Sequence, residues 1–194
     1  MRGASEKRTE PYDNTVKGVS QSATTQSAVV SSTSASGTGQ ADGDVYLVAW
    51  TTTPWTLPSN SAIAVNKSIK YVELLYKNQT LIIAEKLVEK VMTDEKHQPL
   101  EYKILKTIKG DSLVGLTYEQ PFGLELDHKN AFKVWPADFV TDEDGTGIAH
   151  ESPAYGEDDY TFAKANDIPW VMSTDENGFF TLGAWKGQNV WESN

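Results

Sequence analysis

The chain has 194 residues, a formal net charge of −10, three histidines and no cysteine. This length fits one domain with a sizeable hydrophobic core. Without cysteine the chain forms neither a disulfide framework nor a thiolate metal site, and His97, His128 and His150 lie too far apart for the usual spacing of zinc ligands. The negative net charge argues against a basic face that binds nucleic acid along its length. Because neither an apolar leader nor an apolar run of membrane-spanning length is present, a cytoplasmic protein is the default expectation.

Residues 1–43 differ in composition from the rest of the chain. They are rich in Ser, Thr, Gly, Gln and Ala, and they contain no Leu or Ile and no aromatic residue except Tyr12. Such a segment buries too little apolar surface to offset the entropy of ordering it, so it is expected to be flexible. Within it, residues 27–31 are a candidate first strand. The folded domain is expected to comprise residues 44–194.

From residue 45 onward, short β-branched and aromatic runs predict a β-rich domain. The predicted strands are 45–50, 62–65, 71–76, 81–84, 102–108, 132–135, 139–140, 146–151, 170–172 and 179–182. Two short helices are predicted, at 85–93 and 158–166. The connector 110–122 is interpreted as a packed loop anchored by Leu113, Leu116, Tyr118 and Phe122. Many short strands with few helices indicate an α+β, β-rich fold of the closed or nearly closed barrel type.

The segment 51–60, TTTPWTLPSN, follows the predicted strand 45–50 and is termed the threonine loop. Pro54 and Pro58 each fix their own φ, lack a donor and favour an extended residue before them, which predicts a rigid, non-helical loop. Short hydroxyl side chains at fixed positions suit a polyhydroxylated ligand and leave room for a water molecule. The alternative from composition alone is a Ser/Thr-rich turn whose hydroxyls bind their own backbone.

The threonine loop resembles the threonine-rich signature of the editing (CP1) domain of isoleucyl-tRNA synthetases. Residues 145–160, GTGIAHESPAYGEDDY, resemble the second signature of that domain, a GTG-I-x-H strand followed by a Pro/Gly loop that ends in EDDY. Valyl and leucyl relatives carry a TTRP form of the first signature, where this chain has Thr53, Pro54 and Trp55, so the resemblance is to the isoleucyl branch. It extends from about residue 44 to the C-terminus. Signatures of the HIGH and KMSKS types, which mark the family's ATP chemistry, are not found, so one domain of a larger enzyme is expected.

The resemblance implies hydrolysis of an aminoacyl ester in which valine has been wrongly joined to the terminal ribose of the isoleucine tRNA. Isoleucyl-tRNA synthetases are the standard example of this double sieve, in which a second, smaller pocket admits valine and excludes isoleucine. Valyl-adenylate is a second candidate substrate. The implied partners are the aminoacylated 3′ end of tRNA(Ile) and the remainder of the synthetase, with a monomeric chain and no membrane. No cofactor is implied, because ATP and Mg belong to the synthetic site of the parent enzyme.

Two residues carry the chemistry that the resemblance implies. Asp159 matches the family's amine-binding aspartate, so its carboxylate would pair with the α-ammonium of the substrate. The alternative is that Asp159 is one of three first-turn acids, with Glu157 and Asp158, that complement a helix dipole. His150 matches the family's pocket-lining histidine, which limits side-chain size and helps to position substrate or water. The alternative for His150 is a strand histidine bound to a backbone carbonyl, and a role in proton transfer is left open.

The other predicted site residues also lie in the two signature segments. The ester end of the substrate and the water would be held by four hydroxyls of the threonine loop, those of Thr51, Thr52, Thr53 and Thr56. Asn60 would stabilise the loop or contact substrate, and Trp55 would stack on the terminal base or pack in the core. Gly145 and Gly147 would let the backbone approach the ligand closely or permit a sharp turn.

One position departs from the family pattern. Many members have a second histidine in a Pro-x-His-Gly segment, where this chain has Ala154, Tyr155 and Gly156. Any hydrogen bond or proton transfer assigned to that histidine is therefore open here. Two alternatives to an editing domain also stand: a non-catalytic module that docks an aminoacyl-tRNA end, and a free-standing trans-editing deacylase.

Overall fold

The computed structural model of the chain describes residues 26–32, 45–120, 122–183 and 185–191. The flexibility predicted for residues 1–43 falls, apart from residues 26–32, on residues outside this set. The first described strand, Gln26–Ser32, includes the segment 27–31 that the sequence marks as a candidate strand. Among the described residues, no helix combines the length and the apolar character that crossing a membrane requires.

The described residues form eight strands, two α-helices and three short 3₁₀ helices. The strands are β1 (Gln26–Ser32), β2 (Val45–Thr51), β3 (Ala62–Val65), β4 (Lys70–Tyr76), β5 (Gln79–Ala84), β6 (Lys103–Lys109), β7 (Lys133–Pro136) and β8 (Ile148–Glu151). The α-helices are α1 (Val88–Val91) and α2 (Glu157–Ala165). The 3₁₀ helices are Pro54–Ser59, Glu85–Leu87 and Gly110–Ser112.

All eight strands belong to one mixed sheet, in the order β6–β4–β5–β2–β8–β3–β7, with β1 paired to β2 outside this path. Strand β2 pairs with three other strands. Strand β1 runs antiparallel to it from Val45 to Thr51, whereas β5 pairs in parallel with its first residues and β8 with Trp50 near its end. The sheet curls into a partly open barrel, and the helices are few and short. The α+β, β-rich, barrel-like fold predicted from the sequence is therefore confirmed.

Helix α2 covers one face of the sheet and so approaches β8. On β3, Ile63 belongs to the main core cluster, whereas its neighbour Ala62 lies on the opposite face, in a cluster with Ala163 of α2. Ala149 of β8 and Phe162 of α2 pack against a further small cluster beside it. Small residues on this face of the sheet let the helix come close, which brings the first turn of α2 next to the end of β8.

The threonine loop is not the non-helical loop that its prolines predict, because residues Pro54–Ser59 form a 3₁₀ helix. Pro54 occupies the start of this helix, where its fixed φ is suitable and its missing N–H would have no helical partner. Thr53 precedes it in a non-helical conformation, and the Thr56 N–H closes the first turn on the Thr53 carbonyl at 3.0 Å. One short 3₁₀ segment therefore accommodates both prolines.

Three predicted strands are wrong. Residues 139–140 form a turn, residues 170–172 are irregular, and residues 179–182 contain only isolated bridges. Phe139 and Trp170 are 57% and 45% exposed, and each packs edge-on against one aromatic ring of α2. An apolar run predicts a strand only where neighbouring strands bury it, and here the aromatic residues contact a helix from outside.

The signature segment 145–160 contains one glycine that the packing requires. Gly147 has a φ of +73°, and a Cβ at this position would lie 2.3 Å from the Cβ of Ala84 on β5. Gly147→Ala is therefore expected to lower the free energy of unfolding by about 3 kcal/mol or more, through backbone strain and a clash in the core. Urea denaturation measures the loss.

Gly115→Ala is the matched control for this prediction. Gly115 also has a positive φ, +85°, but open space surrounds the position of its Cβ. The control variant carries the strain without the clash and should cost about 1 kcal/mol. Equal losses of stability in the two variants would contradict a packing role for Gly147.

Candidate functional site

The hydroxyls of the threonine loop divide into two groups. Thr51 and Thr56 are buried, and they bind the backbone of the loop itself: Thr51 Oγ1 accepts the Thr53 N–H at 3.0 Å, and Thr56 Oγ1 donates to the Thr53 carbonyl at 2.8 Å. Thr52 and Thr53 are exposed. The buried pair fixes the shape of the loop, as the structural alternative for this segment holds, and the exposed pair is available to a ligand.

His150 lies on β8, opposite Ile63 of β3, and its Nε2 is 3.3 Å from Thr56 Oγ1. Its Nδ1 is buried and has no hydrogen-bond partner among the described residues. Burial lowers the pKa of His150 to about 4, and the negative charge of Asp159 opposes this effect only in part. The imidazole is therefore neutral at pH 7.

The hydrogen bonds of Thr56 indicate which nitrogen of His150 carries the proton. Thr56 has one hydroxyl proton, and the Thr53 carbonyl can only accept, so the 2.8 Å contact takes that proton. Nε2 of His150 then donates to Thr56 Oγ1 across 3.3 Å. This assignment, which rests on the hydrogen-bond network, leaves Nδ1 as a free acceptor.

Asp159 is brought to the same place by the start of α2. Its Oδ2 accepts the Ser152 N–H at 2.7 Å, and Ser152 Oγ donates to the Thr56 carbonyl at 3.1 Å. A Cβ on Gly156 would lie 3.0 Å from Asp159 Oδ1, so the missing side chain leaves space for the carboxylate. Thr56 thus contacts both His150 and Ser152, and Ser152 binds Asp159. The two signature segments meet through these contacts.

Trp55 and Tyr155 form an aromatic pair next to these residues. Their ring centroids are 4.9 Å apart at an interplanar angle of 75°. Both rings are half-buried. The structure therefore places Trp55 against the Pro/Gly loop that follows β8, with part of its ring open to a ligand.

Asn60 and the two predicted site glycines have structural partners. Asn60 is 1% exposed, its Nδ2 donates to the Ala62 carbonyl at 2.8 Å, and its Oδ1 accepts from the Tyr118 hydroxyl. These bonds use both ends of the amide, which favours the loop-stabilising alternative for Asn60 over a substrate contact. Gly145 and Gly147 both have positive φ, so the sharp-turn alternative accounts for them.

Glu151 is a buried carboxyl that the sequence analysis did not select. It is 2% exposed and adjacent to His150, and its Oε2 has no hydrogen-bond partner among the described residues. Burial, with a smaller contribution from the negative charge of Asp159, raises the pKa of Glu151 to about 8. Buried unpaired carboxyls with raised pKa are concentrated at functional sites. In the sequence, Glu151 could have been noticed as an acidic residue inside the predicted strand 146–151.

The raised pKa of Glu151 predicts a pH-dependent stability. Between its ordinary pKa of 4.5 and the folded value of about 8, the unfolded chain has lost the Glu151 proton and the folded chain keeps it, so this contribution to stability is lost as the pH rises. The lowered pKa of His150 acts in the opposite direction between about pH 4 and pH 6.5, so the interval above pH 6.5 isolates Glu151. Across pH 6.5 to 8, Glu151→Gln should gain on the order of 2 kcal/mol in unfolding free energy relative to wild type.

Urea denaturation of both proteins at closely spaced pH values tests this expectation. Glu157→Gln, which changes an exposed acid in the first turn of α2, is the matched control. Its stability should follow the wild-type pH dependence. Parallel curves for wild type and Glu151→Gln would contradict a protonated Glu151 in the folded chain.

Two other features do not bring further residues into the site. An open groove of about 480 Å³ is lined by Tyr118, Gln120, Phe132 and neighbouring acids, and none of the predicted site residues lines it. Within the described part of the chain, no group of three or more histidine and acidic side chains is placed to hold a metal ion. The candidate site is therefore the junction of the threonine loop, β8 and the start of α2.

The chain is similar in sequence to the isoleucine–tRNA ligases of several bacteria. No family model matches the chain. It is 49% identical over 147 residues to the isoleucine–tRNA ligase of Clostridium novyi (strain NT), and 45% identical over 147 residues to that of Clostridium tetani (strain Massachusetts / E88). Each alignment covers 75% of this chain and 14% of the relative. The isoleucine–tRNA ligase of Mycobacterium tuberculosis (strain ATCC 25618 / H37Rv) is 42% identical over 161 residues, which are 80% of this chain and 15% of the relative. The chain thus spans about one seventh of these relatives.

Solved structures of synthetase editing domains share the fold. The crystal structure of GlLeuRS-CP1 matches with a TM-score of 0.63 and 20% identity, over 78% of each chain. The editing domain of the P. falciparum cytosolic leucyl-tRNA synthetase (space group P21) matches with a TM-score of 0.59 and 14% identity, over 78% of this chain and 74% of that one. At these identities the likeness establishes the fold alone.

Proposed function

The chain belongs to the isoleucine–tRNA ligase family, as one segment with the fold of the editing (CP1) domains, and on that premise we propose that it hydrolyses valine esters wrongly formed on the isoleucine tRNA. Valyl-adenylate is a second substrate of the same site. The observation that supports this proposal best is the chain of contacts from the threonine loop through Thr56 to His150, and through Ser152 to Asp159. It joins the two signature segments into one polar site.

The residues of this site suit a hydrolysis that needs no covalent nucleophile. An aminoacyl ester is already activated, so the protein has to hold the substrate and place a water molecule, which lowers the barrier by several kcal/mol. The Asp159 carboxylate, one oxygen of which is fixed by Ser152, binds the α-ammonium. The exposed hydroxyls of Thr52 and Thr53 contact the ester end and the water. No ATP or metal takes part in this step.

His150 limits the size of the bound side chain in this proposal. As a neutral ring it adds no charge that would repel the α-ammonium held by Asp159. Its unpartnered Nδ1 accepts a hydrogen bond from the substrate ammonium or from the placed water. Because a single methylene separates isoleucine from valine, even a small displacement of this wall changes the selectivity of the pocket.

The acidic charge of the chain bears on its partners. A net charge of −10 repels the phosphates of a tRNA, so this domain receives only the aminoacylated 3′ end. The remaining parts of the synthetase hold the tRNA body. The same charge disfavours a free-standing trans-editing deacylase, which would have to bind the tRNA alone.

A deacylation time course tests the proposal. Valyl-tRNA(Ile) and isoleucyl-tRNA(Ile) are each incubated with the protein in excess, with spontaneous hydrolysis subtracted. We expect the valine ester to disappear selectively. If neither ester is hydrolysed, titration with a non-hydrolysable valyl-adenosine analogue separates the two remaining cases: binding identifies a docking module without hydrolysis, and no binding rejects the site itself.

A further inference from the structure

Tyr155 connects the candidate site to a third segment of the chain through one side chain. Its ring contacts Trp55 of the threonine loop edge-to-face. Its hydroxyl lies between the backbone N–H groups of Ser173 and Thr174, each at 2.9 Å, and is 2.9 Å from Thr174 Oγ1 and 3.1 Å from Ser173 Oγ. The Ser173 N–H is also 3.1 Å from Ser59 Oγ at the end of the 3₁₀ helix. These contacts connect the loop after β8, the threonine loop and residues 173–174.

The hydrogen bonds of the Tyr155 hydroxyl within the protein leave no lone pair and no proton for a substrate. A phenol oxygen has two lone pairs and one proton. The N–H groups of Ser173 and Thr174 occupy both lone pairs, and a neighbouring serine or threonine hydroxyl takes the proton. Burial raises the pKa of Tyr155, but its hydrogen bonding with Ser173, Thr174 and Ser59 outweighs burial and lowers the pKa overall. The protein itself thus satisfies every hydrogen-bonding position of the Tyr155 hydroxyl.

The ring of Tyr155 is the part that faces the site. Trp55 follows Pro54 at the start of the 3₁₀ helix, and its half-buried indole meets the Tyr155 ring at 4.9 Å and 75°. Edge-to-face contacts of this kind favour one relative orientation of the two rings. Because the Tyr155 hydroxyl is bound to two consecutive backbone amides, the ring itself has a fixed position. The indole is thereby held in one orientation.

We propose that Tyr155 is a positioning residue that orients Trp55 to stack on the terminal base of the aminoacylated tRNA, and that it takes no part in proton transfer. This inference rests on the proposed function, since it names the subsite for the end of the same substrate. A pre-oriented aromatic ring improves binding without changing the chemical step. Tyr155 is therefore expected to affect the binding of the substrate and not the rate of its hydrolysis.

Tyr155→Phe keeps the ring and removes the oxygen. Single-turnover deacylation of valyl-tRNA(Ile), measured over a range of excess protein, yields a maximal rate and a half-saturating protein concentration. We expect the half-saturating concentration to rise by about tenfold and the maximal rate to stay within about twofold of wild type. The pH dependence of the maximal rate should remain that of wild type. Tyr160→Phe, in which an exposed ring loses its hydroxyl, is the matched control and should leave both quantities unchanged.

A double-mutant cycle tests whether Tyr155 acts through Trp55. Trp55→Leu removes the stacking ring, and adding Tyr155→Phe to it should raise the half-saturating concentration by less than about twofold more. Full additivity of the two substitutions would overturn the proposal, as would a loss of maximal rate or a changed pH profile in Tyr155→Phe. Circular dichroism and the thermal midpoint establish that each variant is folded.

The experiments distinguish a failure of the role proposed for Tyr155 from a failure of the proposed deacylase function. Wild-type deacylation with an unaffected Tyr155→Phe variant would overturn the role of Tyr155 alone. If wild type does not hydrolyse the ester, the dissociation constant of the non-hydrolysable valyl-adenosine analogue replaces the half-saturating concentration. The same rise of about tenfold in Tyr155→Phe is then expected, and equal dissociation constants would overturn the inference.

Discussion

Asp159→Asn is expected to lower the maximal rate of valyl-tRNA(Ile) deacylation by about 100-fold or more, because the carboxylate proposed to pair with the α-ammonium is lost from a partly desolvated site. The substitution preserves the size of the side chain, and the amide oxygen can still accept the Ser152 N–H. The position of the loop between β8 and α2 is therefore retained. Single-turnover deacylation with the protein in excess measures the effect.

Asp158→Asn is the matched control because it removes the same charge from the same helical turn. Both residues lie in the first turn of α2, so both complement the helix dipole. Asp158 is exposed, however, and among the described residues it is Asp159 that accepts the Ser152 N–H of the loop after β8. The control should reduce stability by a few tenths of a kcal/mol and leave deacylation unchanged. Equal activity of the two variants would reduce Asp159 to a helix-terminal acid.

The strands of the curled sheet were predictable where an apolar run is buried between neighbours. The strand predicted at 62–65 coincides with β3, all four residues of which are buried, and the prediction at 71–76 differs from β4 by one residue. Both runs are short and rich in apolar residues, with polar residues at their ends. Local pattern and tertiary environment agree at these positions, and the pattern is then a sufficient guide.

Apolar residues that pack from outside the sheet are wrongly predicted to lie in strands. Trp170 and Phe139 read as strand residues, yet each contacts a ring of α2 and remains about half exposed. The threonine loop failed for a different reason. Its two prolines predict a rigid, non-helical loop, whereas a short 3₁₀ helix has Pro54 at its start and Pro58 inside it.

The site could be predicted as a set of residues but not as an arrangement. The resemblance pointed to Asp159, His150 and the threonine loop. His150 contacts the loop directly through Thr56, but Asp159 reaches it through Ser152, for which the sequence offered no signal. That contact depends on the antiparallel pairing of β8 with β3 and on the packing of α2, both of which bring distant parts of the chain together. The role of Tyr155 likewise depends on residues 173–174, which the sequence did not connect to the site.

Burial distributes charge in this site in a way that suits an ammonium group. The pKa of His150 is lowered to about 4 and that of Glu151 is raised to about 8, both by burial, so neither side chain is charged at pH 7. Asp159 is then the charged carboxylate of the proposed site. One negative charge beside two neutral groups matches one positive charge on the proposed aminoacyl ester substrate.

His150→Ala is expected to relax the preference for valine over isoleucine. Removing the imidazole enlarges the space next to Thr56, so the additional methylene of isoleucine no longer meets a wall. Because one methylene in an apolar pocket accounts for about 1–3 kcal/mol, the ratio of the two deacylation rates should fall by about tenfold or more. Parallel time courses with valyl-tRNA(Ile) and isoleucyl-tRNA(Ile) measure this ratio.

His150→Phe separates the size of the side chain from its chemistry. Phenylalanine restores a ring of comparable width but carries no nitrogen to accept a hydrogen bond or a proton. If His150 acts as a wall, the Phe variant keeps the preference for valine and hydrolyses valyl-tRNA(Ile) within about tenfold of wild type, the difference being the lost acceptor at Nδ1. A preference unchanged in His150→Ala would contradict the wall. A loss of about 1,000-fold or more in His150→Phe would instead assign His150 to proton transfer, which a ring with a pKa of about 4 is poorly suited to perform at neutral pH.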